Sequence, residues 1–132
     1  MSVRTDQPYD EGNIFARILR GEIPCRRVHE TEHALAFHDI NPQAPLHVLV
    51  IPKGPYVSMA DFTTRAPDEL VAGFFRAVGE TARLLGLETQ GYRILANAGP
   101  HSHQEVPHLH VHIFGGAPLG PMLVRRGPEP AT

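Results

Sequence analysis

The stretch His108-Leu109-His110-Val111-His112-Ile113-Phe114 alternates without a break between imidazole and apolar side chains. Side chains of a β-strand point to opposite faces in turn, so one face takes Leu109, Val111 and Ile113 and the other takes three histidines. The apolar face is expected to dock on helices. A solvated strand face draws Thr, Lys, Glu or Ser rather than histidine. Imidazoles about 7 Å apart along a strand also repel one another once protonated. The row is read as functional.

Working outward, four further segments have strand character: Arg26–Glu30, His33–His38, Leu46–Pro52 and Tyr92–Ala98. Short links between the first three favour antiparallel pairing over crossover units. Asn13 is a good N-cap for a short helix with Ile14, Phe15, Ile18 and Leu19 on one face, and Gly21 is a natural stop. Leu70, Val71, Phe74, Phe75, Val78, Ala82 and Leu85 recur at helical spacing after Pro67, and Gly86 ends that longer helix. The fold class is α+β: a five-stranded antiparallel sheet with one long and one short helix. The divisions expected are a flexible arm over residues 1–12, one domain over 13–124 and a flexible tail over 125–132.

A chain of 132 residues suits one domain. A single cysteine excludes an internal disulfide framework and any CxxC ribbon. Twelve Lys+Arg against 14 Asp+Glu give a net charge of −2, which offers nucleic acid no basic field. No apolar run approaches the ~20 residues of a membrane span, and the polar, acidic start does not resemble a signal peptide. The expected setting is cytoplasmic. The anomaly is histidine, with 9 in the chain and 5 of them between residues 101 and 112.

Two chemistries use such a row. Metal binding is one, but His108 and His112 stand ~13 Å apart along a strand, too far to converge easily with His110 at ~2.0–2.1 Å. A metal site needs two of them plus recruits such as His47 or Glu105. The other is phosphoryl chemistry, in which one neutral imidazole attacks phosphorus while its neighbours donate hydrogen bonds to the phosphate oxygens.

The segment HLHVHIFGG resembles the signature of the histidine triad family. Asn13-Ile14-Phe15 with Ile18, Gly21-Glu22-Ile23-Pro24, and Ala36-Phe37-His38-Asp39-Ile40-Asn41-Pro42-Gln43-Ala44-Pro45 resemble the Hint branch of that family. So do His47, Val50-Ile51-Pro52-Lys53, Gly91-Tyr92-Arg93 and Asn97, in the same order. The resemblance spans about residues 13–116 and implies a nucleoside 5′-phosphoramidate hydrolase. It works through a covalent nucleotidyl-histidine, favours purine nucleotides, and needs no metal and no other cofactor. It also implies a twofold homodimer that continues the sheet from chain to chain, with Gly116–Val124 over the partner. Neither nucleic acid nor a membrane is an expected partner. Two alternatives stay open: a dinucleoside polyphosphate hydrolase, and a nucleotide-binding sensor with little turnover.

By this resemblance His110 is the nucleophile and His112 donates to the phosphate, while His108 and His47 orient them. Ile14, Phe15, Ile18, Phe37 and Ile40 form an apolar clip for the nucleoside, although Phe15 and Phe37 also suit a core. Asp39 holds the ribose hydroxyls or serves the turn before Pro42. His38 stands at the pocket wall or in a solvated turn. Asn97 and the loop from Gly99 to Val106, with Gln104 in it, supply amide donors to the phosphate. Glu105 departs from the pattern by replacing the serine that assists the leaving amine. A glutamate raised in pKa by burial or by the substrate phosphate could do so, or its charge could repel phosphate.

Overall fold

The structure, a computed structural model, describes residues 3–124. Five antiparallel strands form one sheet: β1 (Arg27–Glu30), β2 (Ala34–His38), β3 (Leu46–Pro52), β4 (Arg93–Leu95) and β5 (Val111–Gly115), in the order β1-β2-β3-β5-β4. The α+β sheet fold read from the sequence is therefore present. The tail at 125–132 lies outside the described residues.

Three α-helices accompany the sheet: α1 (Ile14–Leu19), α2 (Met59–Arg65) and α3 (Asp68–Leu84). In α1 the Asn13 carboxamide oxygen accepts from the Phe15 and Ala16 amides, the expected cap. The expectation of one long and one short helix omitted α2. That helix carries its own signal in Ser58-Met59-Ala60-Asp61, because Ser58 Oγ accepts from the Asp61 amide at 3.2 Å. With seven residues and only Phe62 buried, it has no periodicity to read.

The long helix α3 lies across β1, β2 and β3. Its buried stripe of Phe74, Ala77, Val78, Thr81 and Ala82 meets Ala34, Ala36, Val48, Val50, Val111 and Ile113, all nearly inaccessible. Alternation along the strands sends Leu35, Phe37, Leu49 and Ile51 to the other face, where Phe15 of α1 covers them. Leu109, Val111 and Ile113 do face the helices, as the histidine stretch requires.

Two strands are shorter than their sequence spans. In the β3–β5 ladder Val50 pairs with Val111 and Val48 with Ile113. Continuing that register puts Pro52, which has no N–H, opposite Leu109, so the ladder stops. His108–His110 therefore lead into β5 and are not part of it. The Leu109 amide bonds instead to the Tyr56 carbonyl at 2.8 Å. Because β4 pairs only with β5, from Arg93↔Phe114 to Leu95↔His112, it ends where β5 begins and does not reach Ala98.

Residues 3–12, expected to lie loose, are instead tied to the domain. Val3 is buried and its amide donates to the Gln104 carbonyl, while Tyr9 reaches His108. No described helix is long and apolar enough to cross a membrane.

Candidate active site

On the face opposite α3, a cavity of about 490 Å³ opens between α1, the ends of β2 and β5 and the loop before the histidines. That volume lies within the range of small-molecule sites. Ile14, Phe15, Ile18, Phe37 and Ile40 line it, along with His38, Asp39, Asn97, Glu105 and Val106. His110 and His112 form its floor.

Three residues assigned to the site lie behind that wall. His47 and His108 are buried and do not line the cavity. Gln104 is the real correction, since its side chain does not reach the cavity at all. Its Oε1 accepts from the Gly99 amide at 3.0 Å, and its Nε2 donates to the carbonyls of Val57 and Val106 at 2.8 and 3.0 Å. The carboxamide is spent holding the loop closed, because a buried amide needs these partners. Cys25, Arg26, Asn41 and Leu49, to which the sequence assigned no site role, join the lining.

Hydrogen bonds fix the proton on each ring. His110 Nδ1 stands 2.7 Å from the His108 carbonyl, which only accepts, so Nδ1 carries the hydrogen and Nε2 keeps its lone pair. Phe15 stands edge-on to this ring at 5.0 Å between centroids and limits its rotation. His108 Nε2 donates to the Pro52 carbonyl at 3.0 Å, which leaves its Nδ1 to accept from the Tyr9 hydroxyl at 2.6 Å. His47 Nδ1 accepts from the Gln43 amide at 3.1 Å, so its Nε2–H points to His112 Nδ1, 2.9 Å away. His112 then bears its hydrogen on Nε2. That atom is buried and has no partner among the described residues.

Burial holds the row neutral. It pushes His108 down to about 4, and His112 to about 4 with help from His110 and His47. His110 is lowered for the same reason, partly offset by its bond to the His108 carbonyl. Burial also lowers His47 against the pull of Asp39, whose Oδ2 is 3.4 Å from Nε2. The floor thus presents a lone pair on His110 beside a desolvated donor on His112, the pairing suited to attack on a centre that bears anionic oxygens.

Asp39, His47 and His112 place donor atoms within 4.8 Å of one another, as Glu32, His33 and Glu69 do on the surface. In the first group the hydrogen between His47 Nε2 and His112 Nδ1 occupies the lone pair an ion would need, so metal entry there requires deprotonation. Asp39 also caps its own turn, accepting from the Asn41 amide at 2.8 Å. Glu105 is exposed, with Oε1 3.3 Å from His103 Nε2.

Residues 20–119 match the HIT domain family. The chain belongs to this family. A 13.2 kDa HIT-like protein of Azospirillum brasilense is 66% identical over 117 residues, covering 89% of this chain and 96% of its own. The purine nucleoside phosphoramidase of Escherichia coli is 38% identical over 117 residues, covering 89% and 98%. Among solved structures, a HIT family hydrolase from Clostridium thermocellum superposes with a TM-score of 0.76 at 33% identity, covering 87% of this chain and 99% of its own. The histidines that the alternation singles out lie within the matched residues.

Proposed function

We propose that this HIT domain is a hydrolase of nucleoside 5′-phosphoramidates, with purine nucleotides preferred. The observation that carries the reading is the proton placement on the cavity floor: His110 keeps a free Nε2 beside the unpartnered Nε2–H of His112. The nucleoside lies along Ile14, Ile18 and Phe37, with the ribose hydroxyls on Asp39. His110 Nε2 forms a bond to the α-phosphorus as the P–N bond breaks, and the amine leaves with a proton from solvent or from Glu105 at the rim. Water then cleaves the P–N bond to histidine and releases the monophosphate. His112 Nε2–H holds a nonbridging oxygen throughout, where one well-aimed donor contributes a factor of about 10²–10³. The phosphoramidase name of the Escherichia coli relative supports the substrate class.

Mixing with a phosphorus-labelled purine nucleoside phosphoramidate and quenching in alkaline denaturant, which spares a histidine P–N bond, tests this. Label should be trapped on His110, and the amine and monophosphate should appear together. Binding without turnover or labelling would make the protein a sensor, and faster cleavage of dinucleoside polyphosphates would move it to that substrate class.

The reading includes a cytoplasmic twofold homodimer. The edge strand β4 and helix α3 leave Tyr92, Ile94, Phe75 and Leu84 between 42% and 62% exposed in the single chain. Met122, Leu123 and Val124 stand more than four-fifths exposed. An uncovered edge with such a surface favours association. Sedimentation as a monomer at micromolar concentration would refute the dimer.

A further inference from the structure

The arm over residues 3–12 is polar, has no periodicity and contributes nothing to either apolar cluster. It is nonetheless held at three places. The Val3 amide donates to the Gln104 carbonyl at 3.1 Å, on the residue whose side chain closes the cavity loop. The Asp10 carbonyl accepts from the Asn13 amide and carboxamide, at the cap of α1. Between them the Tyr9 hydroxyl meets His108 Nδ1 at 2.6 Å, its ring edge-on to the imidazole at 5.7 Å.

We propose that Tyr9 is a positioning residue for the nucleophile, delivered by the arm and acting through His108. The Pro52 carbonyl fixes the hydrogen of His108 on Nε2, and the Tyr9 hydroxyl fixes its lone pair on Nδ1, so the ring is held from both ends. A ring clamped in this way sets the backbone at His108, and the carbonyl of that same residue carries His110 Nδ1–H. This segment has no ladder partners of its own, because the β3 pairing stops at Pro52. The clamp on the side chain takes the place of strand pairing. Burial pushes the Tyr9 phenol up, which keeps it a donor.

The kinetic consequence rests on the hydrolase reading; the placement of the His108 proton does not. The test is Tyr9→Phe, which keeps the ring and removes only the hydroxyl. Histidine-ring nitrogen NMR of the full chain should show His108 Nδ1 shifting toward the position of an unbonded imine nitrogen, with the His47 signals unmoved. With a purine nucleoside phosphoramidate, kcat should fall about 10-fold, as for other orienting partners, while KM stays within about 2-fold. Removal of residues 1–9 should reproduce both values, since it deletes the same hydroxyl. An unshifted His108 nitrogen, or a shifted nitrogen with unchanged kcat, overturns the proposal. Absence of turnover in the parent protein would defeat the hydrolase reading instead and leave the nitrogen shift to decide whether Tyr9 holds His108.

Discussion

The two faces of the sheet are built from the same strands yet finished differently. Toward α3, Val48, Val50, Val111 and Ile113 interlock with Phe62, Phe74 and Val78 into a dry layer in which Thr81 is the buried polar side chain, its hydroxyl satisfied by the Ala77 carbonyl at 2.7 Å. On the other face Leu35, Phe37, Leu49 and Ile51 make a smaller cluster, and His47, His108 and His110 are buried beside it. There every ring nitrogen assigned above is committed except His110 Nε2 and His112 Nε2. Burying polar groups without partners costs free energy, so the closed face has to supply the stability that the open face forgoes. The division assigns stability to one face and chemistry to the other, and mutations on each should move different quantities.

The largest effect is expected at His110. His110→Ala should lower turnover by roughly 10³-fold or more and abolish covalent, acid-labile labelling, because it removes the proposed nucleophile. The unfolding midpoint should move less than turnover does, since the ring's hydrogen bond is to the His108 carbonyl two residues away and its packing partner is Phe15. Near-parent turnover in a clean preparation would end the mechanism. On the closed face the signs reverse. Phe74→Ala opens a cavity among Phe62, Phe75 and the sheet and should cost about 3–5 kcal/mol of unfolding free energy. Chemical denaturation reads this directly, and kcat measured well below the midpoint should be unaltered.

His112→Phe probes the orphan donor. Phenylalanine fits the stack that His112 makes with Phe114, 2° from parallel at 5.5 Å. Turnover should drop about 10²-fold for want of the phosphate donor. Stability should stay within about 1 kcal/mol, because the variant removes an unpaired N–H while Asp39 remains for His47 Nε2. A large loss of stability would mean that His112 belongs to the packing and not to the site.

Much of this division was legible in the chain itself. The alternation in His108–Phe114 correctly sends Leu109, Val111 and Ile113 toward α3, and helical spacing finds Phe74, Val78 and Ala82 of the α3 stripe, although Phe75, which it also names, is exposed. What it hides is where pairing stops, since that depends on Pro52 lying opposite in a neighbouring strand. The proton relay from Gln43 through His47 to His112 is likewise a product of register, joining residues 65 apart. Tyr9 is harder still: it touches a histidine 99 residues away from an arm with no pattern. Gln104 was read toward the phosphate by resemblance, as part of the loop from Gly99 to Val106. Only its three backbone bonds show that it faces inward.

Acid should act on the open face first. His108 and His112 sit at about 4 in the fold against about 6.5 when unfolded. Between those values the unfolded chain binds more protons, so stability rises with pH. It is complete above about 6.5 and is lost as pH falls toward about 4. Titration of the unfolding free energy across that window should show the slope, and replacing His108 or His112 with an uncharged ring should flatten it. A flat profile in the parent protein would show that the row is not held neutral by burial.

The smallest effect is expected at Glu105, where two readings of one carboxylate can be separated. The side chain is about three-quarters exposed and pairs loosely with His103 at 3.3 Å, so removing its charge should alter stability by no more than about 0.5 kcal/mol. Its position on the cavity rim leaves its chemistry to the leaving group. If the carboxyl group hands a proton to the departing amine, Glu105→Gln should slow substrates with basic amines several-fold and leave a nitrophenyl ester, whose leaving group needs no proton, unchanged. If its negative charge only repels the phosphate, both substrates should speed up slightly, and more so at low ionic strength, where such repulsion is least screened. Exposure favours the second outcome, because water reaches the same rim and can supply the proton. Equal slowing of both substrates would instead assign Glu105 to shaping the loop that Gln104 holds.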